Sequence, residues 1–179
     1  MAAVKWGIDP AHSEMGFKIK HLMITNIKGY FSLFEGNIET DEDEDFSKSK
    51  MEINITTASV NTGNEQRDVH MRSADFFDVE KFPLITFVGT RSENVDHDGS
   101  YELYGNLTIK GITKEICLDI EFGGVMKDPW GNHKAGITAN GKFNREDFGL
   151  VWNAALETGG VLVSDEVRLS CDVQLVRQS

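Results

Sequence analysis

The sequence predicts an all-β protein: one eight-stranded antiparallel barrel with a short helix between strands three and four. Three observations carry that expectation. Apolar residues recur at every second position along most of the 179 residues, the period of a strand with one face in a core and the other in water. Turn chemistry of the Asp-Gly and Lys-Gly kind separates several of these runs. Only one short stretch has a helical pattern, so a flat sheet would have nothing to cover it. Closing the sheet on itself is the arrangement that buries eight apolar faces at once.

The first strand is Ser13 to His21, with Met15, Phe17 and Ile19 on one face and Glu14, Lys18 and Lys20 on the other. The second, Gly29 to Ile38, carries Phe31, Leu33, Phe34 and Ile38, with Gly29 and Gly36 as bend or bulge positions. Five consecutive acids follow, Asp41 to Asp45. Their mutual repulsion assigns them to a solvated turn, and the residues after them supply neither the glycine nor the bidentate glutamate of a calcium loop. Met51 to Thr57 is the third strand. Alternation stops from Asn61 to Pro83, where Asn64 caps a helix through Arg72, with Asp68 and Arg72 as i,i+4 partners and Arg67, His70 and Met71 on another face. Strand four is Leu84 to Arg91, and the Asp98-Gly99 turn leads to strand five, Tyr101 to Ile109, in which Tyr101, Leu103, Leu107 and Ile109 share a face. Lys110-Gly111 joins it tightly to strand six, with Ile112, Ile116, Leu118, Ile120 and Phe122 on one side and Cys117 on the other. Gly123 to Lys134 reads as a loop. Strand seven, Gly136 to Phe143, carries Ile137, Ala139 and Phe143; strand eight, Glu166 to Val176, carries Val167, Leu169, Cys171, Val173 and Leu175 on its apolar face. No fixed repeat and no linker rich in Pro, Gly and Ser divides the chain, so residues 1–179 are read as a single domain.

Composition narrows the function. With 18 basic against 29 acidic residues the formal net charge is −11, which repels phosphate backbones and anionic lipid headgroups and argues against binding to either. No apolar run reaches the roughly 18 to 20 residues needed to span a bilayer, and Met1 to Gly7 is not an apolar leader. The expectation is a cytoplasmic protein without membrane insertion, or a periplasmic one if a leader has been removed. Cys117 and Cys171 fall on opposite strand faces and are expected to stay reduced. His12, His21, His70, His97 and His133 lack zinc-ligand spacing, and neither a G-x-S-x-G nor a Cys/His signature occurs. No metal, cofactor or catalytic residue is therefore assigned.

A barrel of eight strands is the size at which side chains either fill the interior or leave room for one small ligand. Strands of about ten residues tilted near 40° give a barrel on the order of 25 Å tall. The inward set is rich in Phe, Ile, Leu and Met and shows no carboxylate, so a ligand would be hydrophobic and elongated. A solid core fits the same pattern, because packing density is not visible in sequence.

A series of motifs in order favours the ligand-filled tube by resemblance. They are Trp6-Gly-Ile-Asp9, His12-Ser13, Phe17-x-Ile19-x-His21, Gly29-x-Phe31, Ala58-Ser-Val-Asn-Thr-Gly63, Arg67-Asp-Val-His-Met-Arg-Ser73, Asp75-Phe-Phe-Asp78 and Phe82-Pro83. They continue with Gly105-Asn-Leu-Thr-Ile-Lys-Gly-Ile-Thr-Lys114, Asp128-Pro129, Asn144-Arg-Glu-Asp-Phe-Gly149 and Asp165-Glu166. On these the chain resembles the YceI-like family of lipocalin-like, polyisoprenoid-binding bacterial proteins. The resemblance implies an elongated barrel around an isoprenoid or other long apolar lipid, often as a homodimer, without an established catalytic activity.

The expected apolar wall is Met15, Phe17, Ile19, Phe31, Ile53, Ile55, Phe87, Leu103, Leu107, Ile116, Leu118, Ile120, Phe143 and Leu169. A polar head would sit at the barrel mouth, with His12, Ser13, His21, Arg67, Asp68 and His70 as candidates. In the competing arrangement, Arg67, Asp68, His70 and Arg72 form a hydrogen-bonded plug that holds the helix to the barrel. Trp130 and Trp152 are candidates to cover a barrel end or a dimer seam. Two other function classes stay open: an enzyme acting on an apolar substrate inside the barrel, and a solid-core interaction protein.

Overall fold

Alternating strands of this kind bury their apolar faces by closing into a ring, and the chain does so with eight wall strands. The structure is a computed structural model that describes residues 3–41, 45–153 and 163–178; acids 42–44 of the expected acidic turn lie outside them. Three of the wall strands are bent into two ladders each. β1 (Val4–Ile8) and β2 (Glu14–His21) make the first, β3 (Thr25–Phe31) and β4 (Phe34–Thr40) the second, β5 (Lys50–Thr56) and β6 (Val60–Asn61) the third. β7 (Leu84–Glu93), β8 (Tyr101–Ile109), β9 (Ile112–Lys127), β10 (His133–Asn144) and β11 (Val163–Arg177) complete the wall. Neighbours run β1–β4–β5–β7–β8–β9–β10–β11 and back to β1, while β2 takes the other half of the same β11 edge and carries β3 and β6. Every pairing is antiparallel.

The first wall strand begins at Val4 rather than Ser13, because Asp9 turns what looks like a strand end into a bend. Its carboxylate accepts from the Ala11 amide at 3.0 Å and meets His12 Nδ1 at 2.8 Å, Pro10 opens a 3-10 turn, and Ser13 Oγ accepts from the Gln174 amide at 2.9 Å. The Lys110-Gly111 hairpin is tight as expected, with both residues at positive φ (53° and 74°). α1 (Glu65–Arg72) is capped by Asn64, whose side chain accepts from the Arg67 amide at 2.9 Å.

Gly123 to Lys134 is not a loop. Pairing continues to His133↔Lys127, and only 128–132 turn. Gly124 (φ +103°) and a register shift at Gly136/Ile137 break the alternation there without ending the ladder. Ile112, at the hairpin, is exposed rather than inward, and Leu33 is exposed at the junction of β3 and β4. Gly29 serves close approach instead of bending: a Cβ there would lie 2.5 Å from Phe17 Cζ.

The two ends of the barrel differ. At one end Phe46 is wedged between Trp6 (centroids 5.1 Å apart) and Phe122 (5.4 Å), and Trp6 Nε1 donates to Thr40 Oγ1 at 3.0 Å. Trp6, Phe46 and Tyr101 are buried there, and burial pushes the Tyr101 phenol up to about 12. The other end carries the β2–β3 hairpin, the 62–83 excursion with α1, the β8–β9 hairpin and the stretch after β10.

Candidate functional site

The inward faces leave the barrel hollow. A cavity of about 510 Å³ opens at the α1 end, within the roughly 300–1,000 Å³ usual for ligand sites. Its lining on β11 runs from Val163 to Leu175, which at about 3.3 Å per residue and a tilt near 40° is about 30 Å along the axis. The cavity is therefore long along the barrel axis.

Met15, Phe17, Ile19, Phe31, Ile53, Ile55, Phe87, Leu107, Ile116, Leu118, Ile120, Phe143 and Leu169 all border the cavity. Leu103 does not. It points into the barrel near the stoppered end but lies over Gly89, where a Cβ would sit 3.3 Å from Leu103 Cδ1. The strands add Ile27, Ile38, Met51, Ile85, Ile109, Ile137, Ala139, Val163, Val167, Cys171, Val173 and Leu175. Most of these share the parity of wall residues on the same strand, so their signal was present in the alternation.

Polar lining is confined to the open end: His21 from β2, Asn64, Gln66, Arg67 and His70 from the α1 region, and Arg145 after β10. The reason α1 sits there is a gap in the wall. β3 meets β6 only at Tyr30 and Phe31, which leaves Thr25 to Gly29 without a strand on that side. The 62–83 excursion brings Arg67, His70, Met71, Phe76 and Phe77 to the mouth of the cavity.

Two clusters fix the mouth. In the first, Thr62 is clasped from both sides: Asp68 Oδ1 accepts from the Thr62 amide (2.8 Å) and hydroxyl (2.6 Å), while Arg67 Nε donates to Thr62 Oγ1 and Nη2 to Thr62 O, both at 2.7 Å. Arg67 thus borders the cavity and also pins the helix. Asp68 is buried in this clasp rather than facing the lumen, and its hydrogen bonds go to Thr62 and not to Arg72. In the second cluster, His70 Nε2 lies 2.8 Å from Asp75 Oδ2 and the ring meets Phe76 and Trp152 edge-on at 5.0 and 4.7 Å. Trp152 therefore covers the mouth, whereas Trp130 stands exposed on the turn at the opposite end.

His12 and Ser13 are not at the mouth. They belong to the bend between β1 and β2, on the seam with β11, because the strand continues past them to Val4. Arg145 was missed as a site residue, since Asn144-Arg-Glu-Asp reads as a polar turn. It is 2% exposed. Its Nε donates to Ser164 O at 2.9 Å and Nη1 to Trp152 O at 2.8 Å and to Leu150 O, while Nη2 has no hydrogen-bond acceptor among the described residues. Burial pulls the guanidinium below the usual arginine range, and Asp165 at 3.8 Å opposes that pull.

Comparison with known proteins agrees with this architecture. The YceI-like domain matches residues 6–175. A UPF0312 protein of Staphylococcus aureus (strain MSSA476) is 43% identical over 167 residues, 93% of this chain and 94% of that one. The Campylobacter jejuni YCEI protein is 37% identical, with a TM-score of 0.76 over 96% of each chain. A polyisoprenoid binding domain from Saccharophagus degradans, 14% identical, shares the fold at a TM-score of 0.68 over 97% of this chain and 98% of that one. The hollow eight-stranded barrel and a family match spanning nearly its whole length together make this chain a member of the YceI-like family.

Proposed function

We propose that the chain binds one long, single-chain apolar lipid, an isoprenoid or similar amphiphile, with its tail in the barrel and its head at the mouth. The observation that carries this is the shape and chemistry of the cavity: long, apolar along the wall strands, polar only around its opening. The hydrophobic term favours such a ligand at roughly 0.8 kcal/mol per buried methylene. At the mouth, His21, His70 and Arg67 border the cavity and would be the groups to meet a phosphate or quinone head. The structural neighbour from Saccharophagus degradans, a polyisoprenoid binding domain, supports the same reading.

The test is mass spectrometry of an organic extract of the purified protein beside native mass spectrometry of the intact sample. One apolar molecule per chain is the expected result. A protein that is empty and also refuses added isoprenoids would overturn the proposal.

Cys171 offers an independent readout. Its thiol lines the lumen and burial pushes it up to about 11, so it reacts slowly but is reachable by a small apolar reagent. Cys117 points away from the cavity, beside Glu102. Loading with ligand should protect Cys171 from modification and leave the rate at Cys117 unchanged, as read by peptide mass spectrometry.

A further inference from the structure

The hairpin between β2 and β3 breaks two rules at once. Leu22 and Met23 both have positive φ (54° and 61°), and the Ile24 amide donates to His21 O at 3.2 Å. That mirror-image turn ordinarily takes Asn-Gly, because large side chains are strained in the left-handed region. Packing does not offset the strain: Met23 is 54% exposed and Ile24 79% exposed. Three consecutive large apolar residues thus stand in water on a backbone that disfavours them.

The charge around this tip is also anomalous. Residues 15–29 contain Lys18, Lys20 and Lys28 and no carboxylate, in a chain of net charge −11. Lys18 is paired directly with Lys28 on one side and Arg168 on the other, and Arg168 with Lys142. Four cations therefore lie in register across β3, β2, β11 and β10, a placement that like-charge repulsion disfavours. Glu166 bridges to Arg168 (3.2 Å) and Lys142 (3.6 Å). Lys18, Lys20 and Lys28 have no ion-pair partner among the described residues. Asp41 and Asp45 sit at the opposite, stoppered end. The tip also adjoins the cavity mouth, since His21 and Ile27 of the same hairpin line it, and Val69 on α1 and Val151 are exposed at that end.

We propose that the β2–β3 hairpin docks the barrel on an anionic lipid surface. Leu22, Met23 and Ile24 enter the headgroup layer, Lys18, Lys20 and Lys28 meet the lipid phosphates, and the mouth is turned toward the membrane. An apolar tip with flanking cations is the chemistry that binds such an interface. The net negative charge does not prevent it: with a screening length of about 8 Å at physiological salt, the nearest charges dominate, and residues 15–29 of the hairpin carry lysines and no carboxylate. The docking itself is independent of the lipid-binding function proposed above; its purpose, exchange of that lipid, rests on it.

The test is co-sedimentation of the full chain with vesicles of phosphatidylcholine plus phosphatidylglycerol, and with phosphatidylcholine alone, at low and high salt. Binding at least about ten-fold stronger to the anionic vesicles, weakening with salt, is expected. The double variant Leu22→Asn/Met23→Gly installs the residues the turn prefers, so it should melt no lower than the parent while losing binding by about ten-fold or more. Lys18→Gln/Lys28→Gln should do the same. Both variants should still take up an isoprenoid from solution. No anionic preference in the parent, or undiminished binding by the turn variant, overturns the docking proposal. So does conversion of a dimer to a monomer by that variant without a vesicle effect, which would assign the tip to a second copy. Failure of uptake from solution in the parent, with vesicle binding intact, would instead count against the lipid-binding function alone.

Discussion

Ala139→Phe is expected to abolish lipid binding and leave the barrel folded. Ala139 lines the cavity, and its cross-strand neighbours are Ile120 and Cys171. A ring at this position takes up lumen that a ligand tail would occupy. Excluding even five methylenes from burial removes about 4 kcal/mol, close to a thousand-fold in affinity. The substituted ring enters open lumen rather than packed core, so stability should change by less than about 1 kcal/mol, whereas overpacking a solid interior costs about 1–3 kcal/mol. Titration with an added isoprenoid and thermal melting, read together, decide the matter. Retained binding would remove Ala139 from the ligand path, and a large drop in Tm would mean that the lumen is occupied by side chains.

Arg145→Met should be the most destabilising single change at the mouth. The guanidinium gathers the carbonyls of Leu150, Trp152 and Ser164, and methionine fills the space while leaving all three without a donor. Orphaned buried acceptors cost about 1–3 kcal/mol each, less where lumen water reaches them, so a loss of about 3 kcal/mol is expected. For a chain of this size that lowers Tm by about 6–12 °C. Arg145→Lys should recover little, because a point ammonium cannot span three acceptors that a planar fork reaches. Melting followed by circular dichroism checks both variants, and an unchanged Tm in Arg145→Met would show that the carbonyls find other donors.

The contrast between Leu169 and Arg145 shows what a one-dimensional pattern contains. Leu169 was placed on the wall by parity alone, and so were Phe17, Ile53, Leu107 and Ile120, because a strand with one wet face must alternate. Arg145 depends on the folded chain bringing three backbone carbonyls to one point, and no spacing encodes that convergence. Val4 to Ile8 is hard to read as a strand for a related reason: the alternation is short and ends at Asp9-Pro10, which resembles a strand terminus until Ser13 and Gln174 join across the bend. His12 and Ser13 look like mouth residues in sequence for the same reason and lie on the seam in the fold. In β9 around Gly124, where residues 121–127 are exposed or half-exposed, nothing forces apolar residues to alternate, and a paired segment looks like a loop. The hollow interior was the least legible feature of all. Phe87 and Met51 face inward whether the barrel is filled or empty, since emptiness is a property of volume and not of periodicity.

The stopper formed by Trp6, Phe46 and Phe122 gives the lumen the mechanics of a syringe with a sealed nozzle. Anything that enters must use the opening by which the previous occupant left. A second chain cannot queue behind the first and displace it from the rear, so exchange requires complete emptying before refilling. A lipid of the proposed kind would enter tail first and leave tail last, with its head toward the surroundings throughout. Loading and unloading therefore happen at one site and in mirror-image order. The residence time of a bound chain would then rise with the length held inside, because every methylene drawn back through the mouth loses its burial.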